Sequence, residues 1–389
     1  MNENAKNITR RIARGIFIFF LIFIIGGLGG VYFDQKVLPM IRTSKHLSRI
    51  NFLKRSAENV TVINKTEQVI IQEDDSVNEI ASQASNTVVN IISISSQNSP
   101  ASEQGVREQS GTGMIATSDG LITTYRTAII EDGAIYKVFL FNGNSYDAKL
   151  LGVDEFSNLA FLKIDTPNLM AIPFGDSSDA RPGKKLVAIG NSFGEYQNRY
   201  ASGLLSSIDK TFNLAGKSVS STEKLESVFE DDFSDRREYI GGPVIGHSGD
   251  LVGIVGMTVI DGKEKYFLIP SNVVKNTVDF VLKNGFEARP FFGAYYKTIT
   301  KEFSMTHGLN RDRGALIYSP SGKQSLAFIS GSPAEIARLK INDIVTMVNN
   351  QGVNLDNPLS NLINQYKKGD KIELTVDRNG EEIKIPVQL

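Results

Sequence analysis

The chain has no cysteine, no tryptophan and only three histidines among its 389 residues. Without cysteine it can form no disulfide, no thiolate metal site and no cysteine nucleophile. It also lacks an excess of either charge, because Lys plus Arg (42) nearly balance Asp plus Glu (43). A net charge of −1 argues against nucleic acid or an acidic substrate as a partner. With 41 % hydrophobic and 22 % charged residues, the composition is that of a folded protein of two or three domains.

Histidine, the side chain that carries an imidazole, is scarce. The histidines are His46, His247 and His307, so residues 47–246 contain none. A serine-protease triad needs an imidazole that takes the proton of a hydroxyl nucleophile. His247 and Ser248 could be drawn as a catalytic dyad, but the following Gly-Asp makes this an ordinary turn sequence. The composition leaves a Ser-Lys pair open, although no motif supports one.

A long apolar run lies near the N-terminus. Ile16 to Phe33 contains 18 uncharged residues, which is about the minimum for a helix that crosses a bilayer. The residues from Val31 to Asp34 are poor for signal-peptide cleavage, so we expect residues 16–33 to remain as a single-pass anchor in the lipid bilayer. A cleaved signal peptide is the alternative. Residues 1–15 are predicted to stay in the cytoplasm, because they carry the basic group Lys6, Arg10, Arg11 and Arg14.

The rest of the chain falls into three parts. Residues 34–74 are polar and of mixed charge, which predicts an extracytoplasmic stalk with no fold of its own. Residues 75–285 alternate short apolar runs with turn signals such as Asn142-Gly143 and Asp261-Gly262, which indicates an all-β barrel or sandwich. The spacing in Ser271–Asn284 predicts a closing helix. The expected strands are Val88–Ile94, Gly113–Ile115, Val138–Phe141, Ala160–Ile164, Leu186–Ile189 and Leu251–Met257.

The third part, 289–389, mixes strand and helix patterns over the length of one small α+β domain. Pro333–Leu339 and Pro358–Tyr366 predict helices, and Asn379-Gly380 predicts a terminal hairpin. The expected strands are Ala315–Tyr318, Ile344–Val348, Ile372–Val376 and Ile383–Val387.

Six motifs follow one another between residues 111 and 274, and four more lie in the C-terminal part. The first six are Gly111-Thr-Gly-Met-Ile, Ser157-Asn-Leu-Ala-Phe-Leu-Lys-Ile, Gly175-Asp-Ser-Ser with Pro182-Gly-Lys-Lys-Leu-Val-Ala-Ile-Gly-Asn-Ser-Phe-Gly, Gly241-Gly-Pro-Val, Leu251-Val-Gly-Ile and Phe267-Leu-Ile-Pro-Ser-Asn-Val-Val. The other four are Phe291-Phe-Gly-Ala, Gly331-Ser-Pro-Ala, Asn342-Asp-Ile-Val and Lys368-Gly-Asp-Lys-Ile. In order and spacing the chain resembles the HtrA (Deg) family of serine proteases over roughly residues 70–389.

The resemblance implies a mainly β fold. After the transmembrane helix we expect a chymotrypsin-like double β-barrel over 75–285, the trypsin-like domain, and an α+β PDZ domain over 289–389. It also implies a homo-oligomer, a trimer packed through the protease-like domains. We expect no cofactor and no metal.

The same register places unsuitable residues at the three catalytic positions. Thr127 stands for the histidine, Asn158 for the aspartate and Ile240 for the nucleophile. Ile240 has neither a transferable proton nor a lone pair, and the Thr127 hydroxyl is far too weak a base. In the oxyanion region Glu238 replaces a glycine, with Tyr239 beside it, and a carboxylate there would repel developing negative charge.

The loop between Thr258 and Phe267 is shorter than the family usually has. It predicts a tight hairpin, and with it a shallow or absent specificity pocket. A merely variable surface loop accounts for it equally well.

The PDZ resemblance predicts a peptide site. Such a domain adds a C-terminal peptide to a sheet edge and holds its carboxylate with backbone N–H groups of a loop. That loop corresponds to Phe291-Phe292-Gly293-Ala294, where the glycine permits the loop shape and the phenylalanines line an apolar pocket. Ala294, Tyr295 and Tyr296 form the expected receiving edge. The alternative is that both phenylalanines are core aromatics.

We therefore expect a pseudoprotease in the bacterial cytoplasmic membrane, with its N-terminus in the cytoplasm and most of the chain outside. It would bind C-terminal or unfolded peptides, in protein quality control or as the regulator of an active homologue. One alternative is an active serine endopeptidase with non-standard catalytic residues. The other is a structural oligomerisation module.

Overall fold

A computed structural model describes residues 3–37, 81–82, 84–95, 107–191, 198–216, 219–319 and 321–389 of the chain. The chain forms two compact units, residues 1–75 and residues 76–389. Beyond Val37, the stalk predicted for residues 34–74 lies outside the described residues.

The first unit contains helix α1 (Glu3–Tyr32), followed by a π-helical turn at Phe33–Val37. Its section Gly15–Tyr32 has a mean hydropathy of 2.3 over 18 residues, so it is long and apolar enough to cross a membrane. The apolar side chains described in this section are exposed. The predicted apolar helix is confirmed, and its length and composition suit an anchor or a signal sequence.

The second unit begins with a closed antiparallel barrel of six strands in the order β1-β2-β3-β6-β5-β4. Its interior is filled by apolar side chains that alternate along the strands, among them Val89, Ile91, Ile122 and Leu162. The strands are β1 Val88–Ser95, β2 Arg107–Ile115, β3 Leu121–Tyr125, β4 Ala134–Leu140, β5 Ser145–Val153 and β6 Leu159–Ile164.

A second closed barrel follows, in the order β10-β13-β12-β11-β7-β8. The predicted two-residue turn, Asp261 (φ 50°) and Gly262 (φ 76°), joins its β12 and β13, and Ile260 pairs with Lys263 across the turn. Two barrels in tandem confirm the mainly β fold that the resemblance implied. The strands are β7 Lys185–Gly190, β8 Arg199–Asn213, β10 Glu226–Asp231, β11 Pro243–Ile245, β12 Leu251–Ile260 and β13 Lys263–Pro270; the short β9, Ser220–Ser221, belongs to a different sheet.

Aromatic side chains join the two barrels. The fully buried Phe267 meets Tyr125 of the first barrel edge-on, with ring centroids 5.9 Å apart, and Phe212 at 5.3 Å. Helix α2 (Ser271–Asn284) covers the second barrel as predicted, burying Val274 and Val278.

The C-terminal part forms one sheet in the order β19-β18-β16-β15-β14-β9, with β17 paired to β16. Its strands are β14 Tyr295–Thr298, β15 Ala315–Ile317, β16 Ile344–Val348, β17 Gln351–Gly352, β18 Lys371–Arg378 and β19 Glu381–Gln388. Its helices are α3 Lys301–His307, α4 Pro333–Ile336 and α5 Leu359–Ile363. The α+β mixture is confirmed, and so is the hairpin at Asn379-Gly380.

Several element boundaries differ from the predicted ones. Helix α4 ends at Ile336 instead of Leu339, because Arg338 takes a left-handed φ of 59°. Helix α5 begins at Leu359 and ends at Ile363 instead of running from Pro358 to Tyr366, with Asn364 as its C-terminal cap.

The aromatic junction of the barrels supports a stability prediction. Phe267→Ala removes a ring that both barrels contact, so we expect the free energy of unfolding to fall by about 3–5 kcal/mol. Met305→Ala is the control, since this residue is 83 % exposed and its truncation should change stability by less than about 0.5 kcal/mol. Urea unfolding of the full chain in detergent, followed by circular dichroism, measures both; equal effects would contradict the packing described.

Candidate functional site

The three positions matched to the triad lie together in the structure. Thr127 is exposed in a 3₁₀ turn, Arg126–Ala128, directly after β3. The Arg126 N–H donates to the Asn158 carbonyl at 2.9 Å, which joins this turn to the loop before β6. Ala128 packs against Gly241 (φ 81°), where an added Cβ would lie 3.1 Å from the Ala128 Cβ. These contacts place the three segments that carry the matched positions next to one another.

Asn158 stands at the position matched to the triad aspartate. Its side chain is hydrogen-bonded to two cations and a phenol, whereas a triad aspartate would accept from an imidazole. It is buried, and its φ of 59° is a left-handed conformation that asparagine tolerates. Its Oδ1 accepts from Arg126 Nη1 and from Lys224 Nζ, both at 3.1 Å. Its Nδ2 donates to the Tyr125 hydroxyl at 3.3 Å, and burial raises the pKa of Tyr125 to about 12. Two cations and a phenol thus surround this amide.

Glutamates balance these two cations. Arg126 pairs with Glu131 at 2.9 Å and with Glu155 at 3.3 Å, and Lys224 Nζ lies 3.0 Å from the Glu155 carboxylate. Burial pushes the pKa of Glu155 upward, but its contacts with Lys224 and Arg126 lower it overall. The result is a half-buried ion-pair cluster around Asn158, in which Glu155 is ionised at neutral pH.

The oxyanion region is folded onto itself. Arg236–Tyr239 form a 3₁₀ turn, in which the Glu238 N–H donates to the Asp235 carbonyl at 3.0 Å and the Ile240 N–H points at the Arg237 carbonyl at 3.5 Å. The Glu238 carboxylate accepts two bonds from Arg199, at 3.0 and 3.1 Å. An oxyanion hole needs free N–H groups aimed at the substrate. The N–H groups of Glu238 and Ile240 face carbonyls of their own turn, so neither points at a substrate in this structure. Tyr239 and Ile240 are both buried.

The predicted peptide loop lies immediately before β14. Phe292 is fully buried in the core of the C-terminal sheet, whereas the Phe291 side chain is 41 % exposed. Gly293 has a φ of 76°, and a Cβ there would collide with Ser332. Phe292 therefore acts in the loop through its backbone, and its ring is a core aromatic.

The backbone N–H groups of this loop bind a carboxylate of the chain itself. Glu223 Oε1 accepts from the Phe292 N–H at 3.1 Å and from the Gly293 N–H at 2.8 Å. The next N–H, that of Ala294, donates to Thr222 Oγ1 at 3.1 Å. The loop thus has the anion-binding arrangement that PDZ-type recognition requires.

The edge of β14 that does not face β15 is paired with β9, and the two strands are antiparallel. Tyr295 lies opposite Ser221 and Tyr296 opposite Ser220, while the Thr222 N–H donates to the Ala294 carbonyl at 3.1 Å. The expected receiving edge, Ala294–Tyr296, is therefore bonded to a segment between β8 and β10 of the second barrel.

A buried carboxyl stands directly behind this pairing. Glu226, at the start of β10, accepts from the Tyr296 hydroxyl at 2.6 Å and from the Thr298 hydroxyl at 2.5 Å. Burial raises the pKa of Glu226 to about 7, although hydrogen bonds from Thr298 and Tyr296 oppose that rise. The group joins the barrel to the C-terminal sheet.

Arg289 makes a second junction at the linker. Its Nε lies 2.6 Å from the fully buried Asp154 carboxylate, its Nη1 donates to the Asn364 carbonyl at 3.2 Å, and its guanidinium stacks 4.1 Å above the Phe280 ring. The sequence reasoning missed Arg289, Glu223 and Glu226, because each acts on a partner 69 or more residues away.

Two histidines of the described part lie in exposed positions. His247 is in the turn between β11 and β12, as its sequence predicted, and His307 ends α3 with Nδ1 3.0 Å from the Phe303 carbonyl. His46 lies outside the described residues. Among the residues that the structure describes, no group of three His, Cys, Asp or Glu side chains could hold a metal ion.

Comparison with known proteins agrees with this architecture. A model of the trypsin-like peptidase domain matches residues 110–254, and one of the PDZ domain matches residues 303–389. A probable periplasmic serine endoprotease, DegP-like, of Chlamydia muridarum is 31 % identical over 281 residues, covering 71 % of this chain and 53 % of that protein. A protein of the same name from a Marinomonas species is 30 % identical over 290 residues, 74 % of this chain and 58 % of its own length. The chain belongs to the HtrA family. It spans little more than half the length of these curated HtrA relatives.

Solved HtrA structures share the fold. The HtrA-type protease AlgW, solved with a tripeptide, has 23 % identity and a TM-score of 0.61, covering 79 % of this chain and 95 % of that one. AlgW with a decapeptide gives 22 % identity and a TM-score of 0.58, covering 79 % and 96 %.

The buried Glu226 predicts a pH-dependent stability. Its folded pKa of about 7 exceeds the ordinary value of 4.5, so between these pH values the folded state keeps a proton that the unfolded chain has released. This contribution is therefore fully present below about pH 4.5 and is lost as the pH rises through 7. Glu226→Gln, which cannot ionise, should be more stable than the wild type by about 1–3 kcal/mol at pH 8 and within about 1 kcal/mol of it at pH 4.5.

The comparison is made by urea unfolding at several pH values, with Glu287→Gln as the exposed control. If the free energies of unfolding of the wild type and of Glu226→Gln change in parallel with pH, the raised pKa of Glu226 is contradicted.

Proposed function

We propose that this HtrA family member is a pseudoprotease that binds peptides through its PDZ domain. The observation that carries the proposal is the pairing of two features: a triad site whose residues cannot transfer protons, and a PDZ loop whose N–H groups are arranged around a carboxylate.

Several contacts at the former active site support the loss of catalysis. The nucleophile position holds the apolar, buried Ile240, and the Asn158 amide binds Arg126 and Lys224 where a triad would bind an imidazole. Both amides that correspond to the oxyanion hole face carbonyls of their own turn. Each such loss costs orders of magnitude in rate, and an isoleucine at the nucleophile position cannot form an acyl-enzyme.

Binding is the activity that the remaining parts support. The consecutive N–H groups of Phe292 and the left-handed Gly293 hold a carboxylate, and the adjacent edge of β14 makes backbone hydrogen bonds to an extended segment. AlgW, which shares the fold, was solved with a tripeptide and with a decapeptide. We propose that the ligands here are C-terminal or unfolded peptides, bound in protein quality control or in the regulation of an active homologue.

We further propose an extracytoplasmic location, with residues 16–33 as a single-pass anchor, the N-terminus in the cytoplasm and a homotrimer as the assembly. Relatives named as periplasmic and the apolar α1 support the location. Protease accessibility of tagged termini in spheroplasts tests the topology: a C-terminal tag protected from added protease would contradict it. Mass photometry in detergent tests the trimer. A single peak at the mass of the monomer would rule it out.

The loss of catalysis predicts that the purified full chain does not degrade an unfolded protein such as reduced casein. The control is Ile240→Ala, which leaves the site equally unreactive; both proteins should release no more peptide than a mock purification. A parallel chain carries Thr127→His, Asn158→Asp, Ile240→Ser and Glu238→Gly, to ask whether the fold still accepts the chemistry. Sustained cleavage by the wild type that exceeds that of the mock purification would mean that catalysis survives, whether or not Ile240→Ala cleaves as well.

A further inference from the structure

The peptide groove of this chain already contains a strand of the chain itself. We propose that residues 219–223 are a tethered ligand of the PDZ groove, which a peptide with a free C-terminus must displace in order to bind. The proposal rests on the peptide-binding function above and adds its regulation.

The direction of the segment is the first observation. Ser220 pairs with Tyr296 and Ser221 with Tyr295, and the Thr222 backbone continues the pairing to Ala294. The segment therefore runs antiparallel to β14, toward the loop that precedes this strand. A C-terminal peptide must approach a carboxylate-binding loop at this end of the strand in the same direction.

The chemistry of the last residue is the second observation. The Glu223 carboxylate receives the N–H groups of Phe292 and Gly293, at 3.1 and 2.8 Å, as a terminal carboxylate would. The Ser221 hydroxyl donates to Glu223 Oε2 at 2.9 Å and the Thr222 hydroxyl to Oε1 at 2.8 Å, so the side chain is held in position from both sides. A side chain thus stands in for a chain terminus.

The opposite wall of the groove also holds the segment. Asn364, at the end of α5, donates from Nδ2 to the Thr222 carbonyl at 3.0 Å. Asn361 of α5 donates to the Glu226 carbonyl at 2.9 Å and accepts from its N–H at 3.2 Å. Thr222 is only 1 % exposed, so it lies fully between β14 and α5.

The tether makes this contact competitive. Both ends of the segment continue into barrel strands, and on one side the Leu225 N–H is bonded to the Phe156 carbonyl at 2.9 Å. A short tether gives a ligand an effective concentration on the order of millimolar. A free peptide at micromolar concentration competes poorly with it, because its apparent affinity is its intrinsic affinity multiplied by the fraction of molecules in which the groove is open. The groove therefore responds to abundant or clustered C-termini and ignores scarce ones.

The test compares the full-length wild type in detergent with Glu223→Gln, which removes the charge but keeps the size of the side chain. The control is Glu302→Gln, an exposed glutamate of the same domain. The probe is a fluorescein-labelled decapeptide with the sequence of residues 214–223 and a free C-terminal carboxylate. We expect Glu223→Gln to bind the probe at least about tenfold more tightly than the wild type, because a charge-assisted pair of hydrogen bonds is lost from the competitor only.

Hydrogen exchange of the Phe292 and Gly293 amides, without probe, is the second measurement. It should accelerate at least about tenfold in Glu223→Gln and stay unchanged in Glu302→Gln. Equal probe affinity in all three proteins would overturn the tethered ligand and leave peptide binding intact. If none binds the probe, faster exchange in Glu223→Gln keeps the tethered contact and removes the peptide-binding function, whereas unchanged exchange overturns the contact as well.

Discussion

The pairing of residues 220–223 with strand β14 is the contact on which the arrangement of the second unit depends. It adds a strand from the barrel connection to the C-terminal sheet, and it brings Glu226 against Tyr296 and Thr298. Burial raises the pKa of this carboxyl to about 7, so below that pH it keeps its proton and avoids the cost of an uncompensated charge. The two domains are joined through backbone pairing and the hydrogen bonds of Glu226, with the Arg289–Asp154 ion pair at the linker.

The proposed loss of catalysis leaves the contact between the two barrels in place. Gly241 lies so close to Thr112, Thr124 and Ala128 that no side chain fits, and this contact holds the two barrels together. Ile240 is buried in the core beside this glycine, and an ion-pair cluster surrounds Asn158. In the proposed pseudoprotease, apolar packing and ion pairs occupy positions matched to the triad, while the glycine and the barrel strands keep their structural roles.

The sequence predicted the elements whose conformation is determined by neighbouring residues, namely tight hairpins and an amphipathic helix. Asp261-Gly262 and Asn379-Gly380 form two-residue hairpins because their residues accept positive φ, and Ser271–Asn284 forms a helix along its apolar face. Strand β8 escaped prediction, since its 15 residues are largely polar. The groove contact could not be predicted either: Glu223 and Gly293 are 70 positions apart, and Ser-Ser-Thr-Glu reads locally as an ordinary polar loop.

We propose that this HtrA family member keeps the protease architecture without a reactive nucleophile. The decisive measurement is incubation of the full chain with a fluorophosphonate, followed by intact-mass and peptide mass spectrometry, with trypsin as the positive control. We expect no adduct under conditions that label trypsin completely. Stoichiometric modification of a single serine, abolished by unfolding the protein, would contradict it and would identify the nucleophile that the triad positions do not supply.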